Sequence, residues 1–259
     1  MKNLILIFSI LCFFSCKKNE VKAPIEFPVL NEPIDSTGKL DLHITNVVNG
    51  SPLALGTATY TNFNGDQYTV STLRYYISNI QLTTTDNIVY KQKESYYLTD
   101  QSDLASLELL VTKVPQGNYK SISFLIGVDS VRNFSGAQVG ALDPANGMIW
   151  SWSTGYIMAK MEGTSPQSSE ITKNVAFHIG GFSGEYTGVK KVDLSFPINA
   201  EVRKSHTPTI NMNADLALWF GNENIIDFSA TPSITTVGKN SSKIAVNYAK
   251  MFQIISVIN

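Results

Sequence analysis

Apolar and polar residues alternate along much of this chain, a pattern typical of strands with one buried face. Between Lys39 and Val47, leucine and isoleucine recur at every second position, which leaves His43 on the opposite, polar face. Over residues 68–82, a bend near Arg74 divides the predicted strand in two. Further strands are predicted over residues 119–128, 192–198 and 210–220. We therefore predict an all-β fold, a mainly antiparallel, Ig-like β-sandwich with a few short helices.

Helical spacing of apolar residues is confined to two short stretches. Residues 102–110 predict one short helix, with Ser102 or Asp103 as its N-cap. Residues 241–255 predict a terminal helix, because their apolar residues recur at intervals of three and four. These helices form a small annex to the predicted sandwich.

Residues 1–15 are typical of a bacterial signal peptide. A lysine precedes an apolar stretch from Leu4 to Phe14, which is too short to cross a bilayer as a permanent helix. Cys16 then follows a small residue, so we expect a lipoprotein that is attached to the lipid bilayer through acylated Cys16. The alternative is an ordinary secretory signal with an incidental cysteine. Residues 16–38 predict a flexible tether with three prolines, and residues 39–259 predict one domain.

Composition and cysteine count exclude several kinds of site. Removing 15 residues from 259 leaves 244, a length that suits one large all-β domain. Cys12 leaves with the signal peptide and Cys16 carries lipid, so no thiol remains for a disulfide or a thiolate-bound metal. The formal net charge of −1 gives no electrostatic reason to bind nucleic acid. Since no aspartate follows Cys16 directly, we expect anchoring in the outer membrane, on either its periplasmic or its surface face.

Trp150 and Trp152 lie two residues apart in the segment GMIWSWSTGY, residues 147–156. In an extended segment this spacing puts both indoles on one face. Together with the later element Phe177-His178-Ile-Gly, the segment resembles the MbnP-like copper-binding domain family, and the likeness runs from about residue 38 to the C-terminus. Ile149 departs from the family, in which an aromatic residue is common at this position.

The resemblance implies a copper ion held by His43 and His178, which stand where the family has copper-binding histidines. Neutral imidazole is a ligand that copper favours. One shared metal brings both imidazoles within about 5 Å of each other, because each nitrogen lies ~2 Å from the ion. Without the resemblance, both residues also fit structural roles: His178 as a hydrogen-bonded side chain in an apolar strand, and His43 as a solvent-facing one. His206, in a polar loop, fits a solvated residue.

The resemblance also implies a role for the tryptophans. In some copper proteins similar to this one, a tryptophan beside the metal is oxidised to kynurenine by a dihaem enzyme related to cytochrome c peroxidase. We take Trp150 as the metal-site residue and first candidate for this oxidation, and Trp152 as the second. Met148 is a candidate secondary contact, because a soft thioether suits Cu(I). An outer-membrane importer is a further implied partner. The alternative is that these rings and thioethers only pack the core.

A different class of function also fits the chain. A surface lipoprotein of this fold can bind glycan or protein without a metal, with exposed tryptophans as stacking platforms and with scattered histidines. An enzyme is not expected, because the sequence lacks a nucleophile elbow, a phosphate loop and a metalloprotease helix. Asp129, Asp143 and Glu162 stand in glycine-flanked segments, where turn formation and capping explain them without function.

Overall fold

A computed structural model describes residues 36–136, 138–151 and 154–259. The predicted signal peptide, Cys16, most of the predicted tether and Trp152 lie outside these residues. The strands are β1 (Thr37–Val48), β2 (Ser51–Pro52), β3 (Tyr60–Thr61), β4 (Gln67–Thr84), β5 (Val89–Lys91), β6 (Tyr96–Asp100), β7 (Glu108–Pro115), β8 (Gly117–Ile126), β9 (Ile149–Ser151), β10 (Gly155–Thr164), β11 (Asn174–Gly180), β12 (Lys190–Val202), β13 (Thr209–Asp215), β14 (Ser233–Ile234) and β15 (Phe252–Ile258). The α-helices are α1 (Ser130–Phe134) and α2 (Lys239–Tyr248), and 3-10 turns occupy Leu104–Leu107, Gly140–Leu142, Pro144–Asn146 and Leu216–Trp219.

The described strands form two sheets. The smaller has five strands in the order β15-β13-β1-β2, with β7 also paired to β1. The larger has ten strands, with a path β12-β8-β4-β10-β11-β14; β3, β5 and β6 pair with β4, and β9 pairs with β10. Pairing is antiparallel except between β1 and β13 and between β11 and β14. The prediction of a mainly antiparallel, Ig-like all-β sandwich with a few short helices is confirmed.

The main core lies between the two sheets, where alternating residues of each inner face meet. In β1 the inward residues Leu40, Leu42 and Ile44 are buried in this core, as the alternation predicts. In β11, Phe177 and Ile179 belong to the same cluster. Burial of such apolar side chains contributes about 1.5–3 kcal/mol each. Because side chains alternate across a strand, every second residue of β1 and β11 points away from this core.

Two strand predictions need correction. Residues 68–82 belong to the single long strand β4, and no bend divides it at Arg74. The irregularity falls instead between Ser78 and Gln81, where Asn79 takes a φ of 54° that asparagine tolerates better than most residues. The strand predicted over 210–220 ends at Asp215, because the Asp215 carboxylate accepts a hydrogen bond from the backbone N–H of Ala217 and begins a 3-10 turn.

Both helix predictions are partly wrong. Within residues 102–110 only Leu104–Leu107 is helical, as a 3-10 turn with Asp103 as its N-cap, and a strand begins at Glu108. The predicted terminal helix stops at Tyr248, and Phe252–Ile258 pairs with β13 instead. This last segment is rich in β-branched residues, which favour strands, and its helical spacing was coincidental. No helix among the described residues is long and apolar enough to cross a membrane.

A second apolar cluster lies on the outer face of the larger sheet. It contains seven buried residues, with Trp150 among the partly buried residues that pack against it; the seven are Tyr76, Val128, Leu142, Met148, Tyr156, Ile157 and Met158. Residues 128–136 and 138–151, here named the covering segment, supply part of this cluster. The segment is held in place by hydrogen bonds from the backbone N–H of Ile157 to Met148 O (2.8 Å) and from the Tyr156 hydroxyl to Leu142 O (2.7 Å). The larger sheet is therefore covered by the smaller sheet on its inner face and by the covering segment on part of its outer face.

Candidate functional site

The indole of Trp150 lies over Gly180 on the outer face of the larger sheet. A Cβ built on Gly180 would fall 2.4 Å from Trp150 Cζ3 and 2.7 Å from Cη2, so the ring occupies the space that a side chain would take. Gly180 and His178 are two residues apart in β11 and point to the same face, about 7 Å apart along the strand. The structure thus brings Trp150 and His178 to one surface.

The imidazole of His178 is held by a carboxylate from the next strand. His178 Nε2 lies 2.7 Å from Glu162 Oε1, and the ammonium of Lys160 lies 3.6 Å from the same oxygen. Lys160 and His178 are opposite each other in the register of β10 and β11. With Nε2 as the donor to Glu162, the lone pair of the neutral ring resides on Nδ1.

The surroundings of His178 favour its neutral form. Burial, the largest cause, lowers the pKa of His178 below its ordinary value of 6.5; the Lys160 charge adds to this effect, while the Glu162 hydrogen bond opposes it. Burial by itself raises the pKa of Glu162, but the hydrogen bond from His178 and the charge of Lys160 outweigh it and leave that pKa lowered. Near neutral pH the pair is therefore a neutral imidazole and a carboxylate.

Arg74 connects this polar region to the covering segment. Its Nε lies 2.7 Å from Asp100 Oδ2, and its Nη1 donates a hydrogen bond of 3.2 Å to the backbone carbonyl of Asn146. Arg74 is also opposite Lys160 in the register of β4 and β10. The guanidinium thus stabilises the approach of the covering segment to the sheet, close to the face that carries His178.

His43 lies on the other outer surface of the molecule. Its neighbours Leu42 and Ile44 face the main core from the smaller sheet, so His43 points away from the core. His178 likewise points outward from the larger sheet. Stacked sheets are about 10 Å apart, and two side chains that leave them in opposite directions are farther apart still. The expectation that the two imidazoles share one metal within about 5 Å therefore does not hold, because strand alternation sends them to opposite faces.

The other predicted residues have varied surroundings. Met148 is buried in the second cluster near Trp150. Met158 lies in the same cluster, and its sulfur accepts a hydrogen bond from the backbone N–H of Val128 at 3.1 Å. His206 is exposed, as expected. Across the described ranges, no group of three or more His, Cys, Asp or Glu side chains is arranged to hold a metal ion.

Sequence reasoning missed the partner of His178. Glu162 was expected to lie in a bend, but it lies within β10, two residues after Lys160 and on the same face. A signal was present in the alternation Met158-x-Lys160-x-Glu162, which marks an outward-facing row of a strand. Asp129 and Asp143 do act as caps, of α1 and of a 3-10 turn, as expected.

Comparison with known proteins gives the family. A family model described as MbnP matches residues 37–237 of this chain. The chain is also similar to the solved structure of MbnP from Methylosinus trichosporium, with 15% identity, coverage of 73% of this chain and 79% of that chain, and a TM-score of 0.48. No curated protein matches the chain. Because the family model spans well over half of its length, this chain belongs to the MbnP family.

Proposed function

We propose that this protein binds a copper ion on the outer face of its larger sheet, with His178 as a ligand and Trp150 beside the metal. The observation that carries the proposal is the position of the Trp150 indole over Gly180, on the same face as His178. Membership of the MbnP family supports it. The role is copper handling rather than catalysis on a substrate of its own.

His178 fits a copper ligand in its charge and orientation. Its lowered pKa keeps the imidazole neutral, which is the form that binds metals. The bond from Nε2 to Glu162 leaves Nδ1 for the metal, and among the described residues no hydrogen bond engages Nδ1. A carboxylate that holds the other ring nitrogen of a metal-bound histidine is a common supporting arrangement. The Lys160 ammonium opposes a cation here but also balances the charge of Glu162.

The donor set of intact side chains near His178 is small. An indole N–H only donates a hydrogen bond and is a poor metal ligand. Oxidation of Trp150 to kynurenine would add an amine and a carbonyl at the same surface, and this is the modification we propose for Trp150, with Trp152 as the second candidate. Met148 is buried too deeply to be a primary ligand and is kept as a secondary contact.

The proposed setting is the cell envelope. Acylation of Cys16 would anchor the domain to the outer membrane through residues 17–36. The proposed partners are a dihaem enzyme related to cytochrome c peroxidase, which would oxidise the tryptophan, and an outer-membrane importer that would take up copper. His43 is not included in this copper site, because it points away from the opposite sheet.

The second candidate function is a metal-free surface lipoprotein that binds glycan or protein. One observation favours it: the two histidines of the predicted site are on opposite faces of the sandwich. Against it, Trp150 is only partly exposed and packs against the second apolar cluster, so its ring is not an open stacking platform.

The test is a copper titration of the purified protein, with intact-mass analysis of material isolated from its native source. We expect one copper ion at this site, loss of that ion in His178→Ala, and its retention in His43→Ala. A kynurenine at Trp150 appears as the gain of one oxygen atom and the loss of one carbon atom, and Trp150→Phe removes it.

Two further variants test how the charged neighbours of His178 affect copper binding. Lys160→Met removes the nearby positive charge and is expected to tighten copper binding, while Glu162→Gln is expected to weaken it about 10–100-fold, as loss of a supporting partner does. Native-source protein that binds no copper, or an unchanged number of bound copper ions in His178→Ala, would contradict the proposal. The first outcome would favour the glycan or protein role.

A further inference from the structure

The smaller sheet has an interruption beside His43. The pairing of β7 with β1 ends at the pair His43–Glu108, and the pairing of β2 with β1 begins only at Val47. Residues 44–46 therefore have no strand beside them on this side, apart from a single bond from the backbone N–H of Leu53 to Asn46 O (2.9 Å). A cavity of about 480 Å³ occupies the interruption; its lining includes Pro52, Gln101 and Leu104 as well as His43, Glu108 and Asn211.

Three polar side chains form a row across the outer face at this cavity. Glu108 is directly opposite His43 in β7, and Asn211 is directly opposite His43 in β13. Side chains that face each other across an antiparallel pair have Cβ atoms about 4.5–5.5 Å apart, and neighbouring strands lie about 4.8 Å apart. The side chain of His43 is thus flanked by a carboxylate on one neighbouring strand and by an amide on the other.

The donor atoms of this row have few competing partners. Within residues 36–136, 138–151 and 154–259, neither the His43 side chain nor the Glu108 side chain has a hydrogen-bond or ion-pair partner. Asn211 uses its Nδ2 to donate a 2.9 Å hydrogen bond to Ser256 Oγ, which turns its Oδ1 acceptor away from that contact. Imidazole, carboxylate and amide oxygen are thereby available on one side of the cavity.

We infer that His43 and Glu108, assisted by Asn211 Oδ1, form a binding site for a divalent first-row metal ion such as Zn²⁺. One nitrogen and two oxygens suit a borderline divalent ion, whereas Cu(I) prefers soft ligands. The cavity has room for water or another small ligand in the remaining coordination positions, so the site is open rather than closed. It is separate from the copper site proposed at His178 and does not rest on it.

A Zn²⁺ titration of the purified protein, measured by calorimetry, tests this site. Zn²⁺ has no redox chemistry, so the result is independent of copper and of tryptophan oxidation. Loss of a residue that only supports a metal ligand usually weakens binding by about tenfold or more, and loss of a ligand should cost at least as much. We therefore expect His43→Ala and Glu108→Gln each to weaken Zn²⁺ binding by at least about tenfold. His206→Ala is the control, and it is expected to leave this affinity unchanged.

A gain-of-affinity variant keeps the test decisive if a loss variant folds poorly. Asn211→Asp adds a carboxylate beside His43 and is expected to tighten Zn²⁺ binding, while its oxygen can still accept a hydrogen bond from Ser256. Asn213→Asp is the matched control, because it adds the same charge two residues along β13, opposite Thr45 instead of His43. Zn²⁺ binding that ignores His43→Ala and Glu108→Gln, or that responds equally to the two aspartates, would overturn the inference.

Discussion

Replacement of Gly180 by alanine probes the position of Trp150, on which the proposed copper site depends. The new Cβ would be 2.4 Å from Trp150 Cζ3 and 2.7 Å from Cη2. Carbon atoms in contact are ordinarily about 3.5–4.0 Å apart, so the indole has to move by more than about 1 Å. Overpacking of this kind costs about 1–3 kcal/mol. We expect Gly180→Ala to lower the free energy of unfolding by an amount in this range.

Urea unfolding measures this loss, and a double-mutant cycle assigns it to the indole. In a Trp150→Ala background the clash is gone, so Gly180→Ala should have little further effect. Gly117→Ala is the matched control: Gly117 also lies in a strand, and its added Cβ would be 3.8 Å from the Tyr119 ring, an ordinary contact. Equal losses for Gly180→Ala with and without the Trp150 ring would refute the packing described here.

Three further predictions concern the larger sheet. In Gly163→Ala the new Cβ would be 1.9 Å from the backbone carbonyl oxygen of Thr69. This clash should destabilise the fold by about 3 kcal/mol or more, the upper end of overpacking costs. Expression level and thermal unfolding report the loss. Glu162→Gln should lower the pKa of His178 further in an NMR titration, because the carboxylate is what raises it; an increase would contradict the assigned hydrogen bond. The folded-state pKa values of His178 and Glu162 are both lowered, so the unfolded chain takes up these protons first as the pH falls. The free energy of unfolding should therefore decrease as the pH drops below about 6.5. Urea unfolding at several pH values measures this dependence, and His178→Gln should flatten it.

Much of the sandwich could be predicted from the sequence because its strands have one buried face. The inward row Leu40, Leu42 and Ile44 behaves as the alternation indicates. The predictions that failed lie where local chemistry competes with the pattern. Asp215 ends a strand because its side chain caps the next turn, and Phe252–Ile258 becomes a strand because β13 offers an edge for pairing. The periodicity of apolar residues along the sequence reveals neither the Asp215 cap nor the pairing with β13.

The site was harder to predict because its parts come from separate strands. The sequence marks Trp150 and His178 as unusual, but the contact that unites them passes through Gly180, a residue whose role is the absence of a side chain. The partner of His178, Glu162, follows from the register of β10 with β11, in which Lys160 faces His178. A sequence defines which residues face outward, whereas the pairing register defines which of them meet.

The separation of the two histidines has a consequence that can be measured. A sandwich buries one row of each strand and presents the other row on one of two outer surfaces, so His43 and His178 act independently. Energetic effects at sites more than about 7–10 Å apart add to within about 0.5 kcal/mol. The variant His43→Ala/His178→Ala should therefore lose stability equal to the sum of the single losses, and each single variant should affect only its own metal site. A coupling well above 0.5 kcal/mol in urea unfolding would mean that the two imidazoles share a ligand, contrary to the arrangement of the sheets.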